Sequence, residues 1–186
     1  MTIAAGSVQL RPVEERDAER VAAMMTPAIS RWVLSWPARL TRDEAAERIA
    51  RVRADADAGH GRYYVIELLP EVIVVGWISI IRSRDDPRRG ALGYWLGAAY
   101  HGRGYMTAAA NAVLRVAFDE LGFEVVEAGA NTENNRSFAI MRRLRMKPAG
   151  DRTLWSASRE CLEVCRFYEL SRTDYEAAAS KEVGPP

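Results

Sequence analysis

The residues best placed to do chemistry lie in one short stretch, His101-Gly102-Arg103-Gly104, which follows an apolar run ending at Leu96 and leads directly into a helical pattern with Thr107 in its first turn. At a helix N-terminus the first backbone N–H groups have no partner inside the helix, and the macrodipole adds partial positive charge. Such a place suits a phosphate or diphosphate. Glycine lets the backbone come close to the anion, while Arg103 offers a charge contact and Thr107 a hydroxyl. The same spacing also belongs to ordinary turns, and Gly-x-Gly alone does not choose between the two. Two familiar nucleotide loops are excluded: no Gly-Lys-Ser/Thr follows at the Walker distance, and Thr107 stands where the dinucleotide fingerprint needs its third glycine.

Elsewhere, reactive side chains are sparse. Glu67 lies within an apolar strand pattern, surroundings in which a carboxylate can serve as a general base; strand alternation equally makes it an outward-facing surface residue. His60 and His101 are the only histidines, and neither is assigned a role. Trp32, Trp36 and Trp77 read as core aromatics or as the wall of an acceptor pocket. Cys161 and Cys165 are four apart in an extended segment, too far to bridge locally and too few for a metal cage, so they read as reduced thiols with no metal.

The elements that must position these groups follow from patterning. Val8 to Arg11 is a short strand closed by Pro12, and Asp17 stands where it can cap an alanine-rich helix to about Met25. Ala28 to Leu40 is irregular or short helix. Thr41-Arg42-Asp43-Glu44 forms a capping box, followed by Ala45, Ile49, Val52 and Ala56 on one helical face, with Gly59 as the stop. Tyr63–Leu69 and Val72–Ile81 make a hairpin about Pro70-Glu71, and Ala91–Leu96 adds a third antiparallel strand. A helix then runs from Met106 to Leu121, ended by Gly122. Glu124–Ala130 is a strand, Asn134–Leu144 a helix, and Thr153–Ser156 with Leu162–Leu170 a closing pair of strands. The class is α+β. Residues 1–175 are expected to form one domain, with 176–186 as a flexible C-terminal tail.

With 186 residues, 48% of them apolar, the chain is long enough to bury a proper core. No apolar run approaches the ~18 residues a membrane helix needs, and the N-terminus has no leader pattern, so a cytoplasmic, membrane-free protein is expected. A net charge of +1 gives no general excess of cations for nucleic acid.

Gly93-Tyr94-Trp95-Leu96, followed by the run from Tyr100 through His101-Gly102-Arg103-Gly104-Tyr105-Met106-Thr107 to Ala109, resembles the acetyl-CoA motif of the GNAT N-acetyltransferase superfamily. The branch it resembles is the ribosomal-protein N-terminal acetyltransferase type. Leu10-Arg11-Pro12 with Asp17-Ala18, Asn134-x-x-Ser137 opening a helix, and the strand-rich C-terminus extend the likeness over nearly the whole chain. The resemblance implies a mixed, twisted, mostly antiparallel sheet with helices on both faces and two central strands, Ala91–Leu96 and Glu124–Ala130, that splay apart around the pantetheine arm. It further implies that Gly102, Arg103, Gly104, Tyr105, Met106 and Thr107 hold the diphosphate, that the backbone near Trp95 and Leu96 pairs with pantetheine, and that Asn134 contacts the cofactor. Acetyl-CoA is then the acyl donor, CoA the product, and a protein N-terminus or a small-molecule amine the acceptor, attacking directly. A homodimer is a habit of the family. The alternative is a non-catalytic sensor that binds acetyl-CoA without turnover.

The chain departs from the family pattern at several places. His101 replaces the usual Gln or Arg before the central glycine, and Met106 the usual small residue after it. Met141 stands where many relatives carry the tyrosine that protonates the departing thiolate, which makes Ser137 the candidate donor by analogy with this branch; its other reading is an ordinary first-turn residue. Ala91 and Leu92 occupy the places before Gly93-Tyr94 where relatives often carry an acid, leaving Glu67 as the candidate base. Arg145-Met146 replaces the usual Gly-Phe, and a non-glycine residue in the left-handed cap would cost ~1 kcal/mol.

Overall fold

A computed structural model describes residues 1–157 and 159–182 of the chain. Eight strands form one sheet in the order β1-β2-β3-β4-β5-β6-β8-β7. They are β1 (Ile3–Ala5), β2 (Val8–Pro12), β3 (Gly61–Leu68), β4 (Ile73–Arg82), β5 (Arg89–Leu96), β6 (Val125–Asn131), β7 (Lys147–Ser156) and β8 (Cys161–Ser171). All neighbours pair antiparallel except β5 and β6. The expected mixed, mostly antiparallel α+β architecture is therefore present. The three-residue β1 escapes a reading that depends on periodicity, being too short to show any.

Alternating side chains of one strand feed two separate cores. In β3, Tyr64 and Ile66 face a core built with α4 (Tyr105–Arg115) and α5 (Asn135–Arg143), whereas Tyr63 and Val65 face a second core under α1 (Ala18–Met24), α2 (Pro27–Ser30) and α3 (Arg42–Asp57). Thr41 caps α3 as its box requires: its Oγ1 accepts from Glu44 N–H at 3.2 Å, and Glu44 Oε2 accepts from Thr41 N–H at 2.7 Å. Asp17, expected to cap α1, does something else. Its carboxylate accepts from the Glu14 N–H at 2.8 Å and from Arg11 at 2.8 Å, bracing the preceding turn rather than the helix.

The α4 helix continues into a π-helical turn at Val116–Glu120 and stops at Gly122, whose φ is +69°. Arg145 does sit in the left-handed region, φ +61°, as its place after α5 implied. The segment expected as a tail from residue 176 instead belongs, as far as Glu182, to a final helix, α6 (Arg172–Glu182), with the Tyr175 ring stacked on Phe118 at 4.6 Å. Residues 183–186 lie outside the described residues. No helix among the described residues is long and apolar enough to cross a membrane.

Candidate active site

The parallel pairing of β5 with β6 lasts only from Arg89 to Ala91 against Val125 to Glu127. Beyond it β6 remains paired with β8 as far as Asn131, and β5 remains paired with β4 as far as Leu96. The two central strands thus splay as expected, from a vertex clamped by ion pairs of Arg89 with Glu127 and Glu169. The wedge opens into a cavity of about 980 Å3 that reaches from the N-terminus of α4 to Trp32, Trp36 and Phe167.

Alternation decides which backbone groups face the wedge. Gly97 N–H donates to Val75 O on the β4 side, and Arg88 O accepts from Glu124 N–H on the β6 side. Counting by twos from each, the N–H and C=O of Trp95 turn toward β4, in the hydrogen-bonded pair with Trp77, while those of Leu92, Tyr94 and Leu96 turn toward the wedge. Leu96 and Tyr94 thus present backbone groups to the wedge, whereas those of Trp95 are spent on β4. Leu96 O is already taken: His101 Nε2–H donates to it at 2.9 Å, and Arg136 Nη1 donates to His101 Nδ1 at 3.4 Å. His101, given no role from sequence, therefore ties the end of β5 and the glycine turn to α5.

The glycine turn has the geometry of an anion cradle. Gly102 and Gly104 hold φ +77° and +82°, and a Cβ at either would meet nothing within 4 Å, so it is the backbone conformation that calls for glycine there. Gly104 is the N-cap of α4, and the first ordinary helical bond runs from Ala108 N–H to Gly104 O at 3.1 Å. The N–H groups of Tyr105, Met106 and Thr107 thus have no carbonyl one turn back inside the helix. Gly102 through Thr107 all line the cavity, and Arg136 and Arg143 of α5 line it as well. Backbone donors, a helix dipole and three guanidinium groups, counting Arg103, suit a diphosphate-bearing ligand.

Asn134 and Ser137 also line the cavity. Asn134 Oδ1 accepts from Ser137 N–H at 3.1 Å, so part of this side chain is committed to capping α5. Ser137 is buried, and its Oγ lies 2.8 Å from the Tyr94 hydroxyl. Burial pushes the Tyr94 phenol up to about 12. Met141, where a tyrosine is common, is packed in the core.

Glu67 is not brought to the site. Its carboxylate accepts from Gln9 Nε2 at 2.8 Å and from Arg11 Nε and Nη2 at 3.0 Å each, and it does not line the cavity. It is buried rather than surface-facing, because the Arg11 guanidinium, shared with Asp17, neutralises it where β2 pairs with β3. A charged partner on the neighbouring strand, 56 positions away in the sequence, leaves no periodic trace near Glu67. The carboxylate that does line the cavity among the described residues is that of Glu133, exposed at its mouth.

At the far end the tryptophans meet both descriptions offered for them. Trp36 and Trp77 are buried, with Trp36 edge-on to Trp77 at 5.3 Å and to Trp95 at 5.1 Å, yet both touch the cavity. Trp32 is half-buried beneath the Arg31 guanidinium. Gly129 lets Phe167 lie across β6, since a Cβ there would stand 2.7 Å from the ring.

Residues 7–147 match the family model described as "Acetyltransferase (GNAT) domain". The chain is 26% identical over 144 residues to the putative ribosomal N-acetyltransferase YdaF of Bacillus subtilis (strain 168), covering 74% of this chain and 76% of that protein. Among solved structures it resembles Mycobacterium smegmatis RimJ in complex with CoA-disulfide, with a TM-score of 0.81 at 23% identity, covering 96% and 95% of the two chains. It also resembles RimL, a ribosomal L7/L12 alpha-N-protein acetyltransferase solved with coenzyme A, with a TM-score of 0.79 at 16% identity over 92% and 98%.

Proposed function

Since the chain belongs to the acetyltransferase (GNAT) domain family, it transfers an acetyl group from acetyl-CoA to an amine, and we propose that this amine is the α-amino group of a polypeptide. The observation that carries the proposal is the character of the cavity. One end is an anion cradle; the other is walled by Trp32, Val33, Leu154 and Phe167; and the carboxylate lining it among the described residues is that of Glu133 at the mouth. An amine must be neutral to attack. At about pH 7.5 roughly a third of α-amines with a pKa of 7.7–8.0 are neutral, against ~0.1% of lysine-like amines near 10.4. A cavity poor in carboxylates is thus suited to the first kind. Polyamines and aminoglycosides, which carry several charges, would find no counter-charge at the apolar end. The names of the relatives point the same way.

In this reading Gly102 to Thr107 donate backbone N–H groups to the diphosphate, with Arg103 and Arg136 beside them, and the wedge-facing backbone of Tyr94 and Leu96 takes the pantetheine amides. Asn134 borders the same arm. Acetyl-CoA supplies an activated thioester carbonyl. A wedge-facing N–H of β5 stabilises negative charge developing on its oxygen, and Ser137 gives the departing sulfur a proton.

The test is thiol release from acetyl-CoA with three acceptors: a peptide with a free apolar N-terminal residue, the same peptide Nα-blocked but carrying lysine, and spermidine. The free α-amine should be turned over at least ten times faster than the others. Preference for spermidine or lysine would overturn the assignment.

A further inference from the structure

Ser137 sits in the first turn of α5, where a serine hydroxyl ordinarily turns freely toward solvent or a nearby carbonyl. Here it does neither. It is buried, and its partner among the described residues is the Tyr94 hydroxyl at 2.8 Å, reached across the cavity wall from β5. Tyr94 also approaches Ser137 O, at 3.4 Å. Either hydroxyl can donate in this pair; the phenol is the stronger acid, and its proton on Ser137 Oγ leaves the serine proton pointing elsewhere. Both residues line the cavity. We infer that Tyr94 is a positioning residue that fixes the Ser137 hydroxyl, and that this hydroxyl carries the proton from the attacking amine to the departing thiolate.

The inference rests on the acetyl-transfer reading above and accounts for the scarcity of carboxylates in the cavity. As the N–C bond forms and the C–S bond breaks, the nitrogen gives its proton to Ser137 Oγ while Oγ gives its own to sulfur. The hydroxyl ends as it began, the amide nitrogen is neutral and CoA leaves as the thiol. No separate base or acid is consumed. Tyr94, protonated throughout the neutral range, holds one lone pair of Oγ and so restricts the rotor to the orientation that bridges nitrogen and sulfur.

The experiment compares wild type, Tyr94→Phe, Ser137→Ala and the double variant by kcat, KM, acetyl-CoA affinity from calorimetry, and solvent isotope effect. A positioned proton carrier contributes on the order of 100-fold. Ser137→Ala should lower kcat by about that factor, and Tyr94→Phe by about 10-fold, each with acetyl-CoA affinity within about twofold of wild type. The double variant should be no slower than Ser137→Ala, because Tyr94 acts only through Ser137. The proton inventory should be curved in wild type and flatten in Ser137→Ala. Losses that multiply, or a Tyr94→Phe effect confined to acetyl-CoA affinity, would overturn the inference. Ser137→Thr, which keeps the hydroxyl, should retain more activity than Ser137→Ala; equal loss would count against it as well. Absence of turnover in wild type with every amine would instead sink the acetyl-transfer reading itself.

Discussion

Replacing Gly104 by alanine separates the conformational role of this residue from its place in the anion cradle. The residue holds φ +82° and ψ −8° with nothing within 4 Å of a built Cβ, so the methyl meets open space and the cost to folding is that of left-handed backbone alone, about 1–2 kcal/mol. For a chain of this length the ligand-free melting temperature should fall by about 2–8 °C. The proper control is Gly59→Ala, at φ +79°, equally open and outside the cavity, which should lose a similar amount. The two variants must then diverge with ligand. Acetyl-CoA at a hundredfold excess over its dissociation constant raises wild-type stability by about 2.7 kcal/mol, a shift of roughly 5–11 °C. Gly59→Ala should keep that shift in full. In Gly104→Ala the methyl stands in the space a diphosphate would occupy and its charge-assisted hydrogen bonds lengthen. Losing one, at about 1.5–3 kcal/mol, weakens affinity on the order of 10- to 100-fold and removes roughly half or more of the shift at the same ligand concentration. Differential scanning fluorimetry with and without acetyl-CoA reads both quantities. Equal ligand shifts in the two alanine variants would refute the cradle and leave Gly104 as a turn residue only.

Other substitutions probe the remaining assignments. Glu67→Gln removes a buried charge partner of Arg11 while Asp17 remains, so urea denaturation should show a loss of about 2 kcal/mol with kcat per folded molecule unchanged; a fall in kcat would return Glu67 to catalysis. Trp32→Ala should raise the acceptor KM several-fold while leaving that for acetyl-CoA alone, and the converse pattern in steady-state kinetics would move this residue to the donor side. The phenols of Tyr94 and Tyr63 are raised, Tyr94 chiefly by burial and Tyr63 by burial and by its hydrogen bond to Asp55. A folded-state pKa above the unfolded one means stability that is complete below about 10 and lost as the pH rises through the folded value, for Tyr94 about 12. Alkaline titration of phenolate absorbance should therefore show late-titrating tyrosines, one fewer in Tyr94→Phe; an unchanged count would place Tyr94 in contact with water.

The features visible in the sequence were those with local causes. The capping box at Thr41, the hairpin about Pro70 and the glycine-to-helix turn at Gly104 each depend on residues within a few positions of one another, and patterning finds them. What was missed depends on contacts between distant segments. Glu67 meets Arg11 across a strand pair, Tyr94 meets Ser137 across 43 positions, and His101 reaches Arg136 from another element. Which backbone groups near Trp95 and Leu96 face the wedge is not legible for a subtler reason: strand parity cannot be read without knowing which neighbour lies on which side. The wedge itself came from the resemblance, since no local pattern tells a strand pair that parts after three residues from one that continues.

That parting has a consequence for how the protein tolerates its own exposed backbone. An unpaired strand at the rim of a sheet invites another chain to dock, and proteins usually blunt it with charge, proline or a bulge. The unpaired side of β5 has none of these from Leu92 to Leu96, yet it is not at a rim. β6 parts from it after Ala91 yet remains its neighbour in the sheet, and residues of both strands line one cavity. A second polypeptide strand would need side-chain clearance on both faces and full spacing to two neighbours, whereas an unbranched chain with isolated amides needs neither. The recess thus keeps the backbone donors of β5 inside a cavity that β6 also lines, rather than along an outer edge where they would nucleate aggregation.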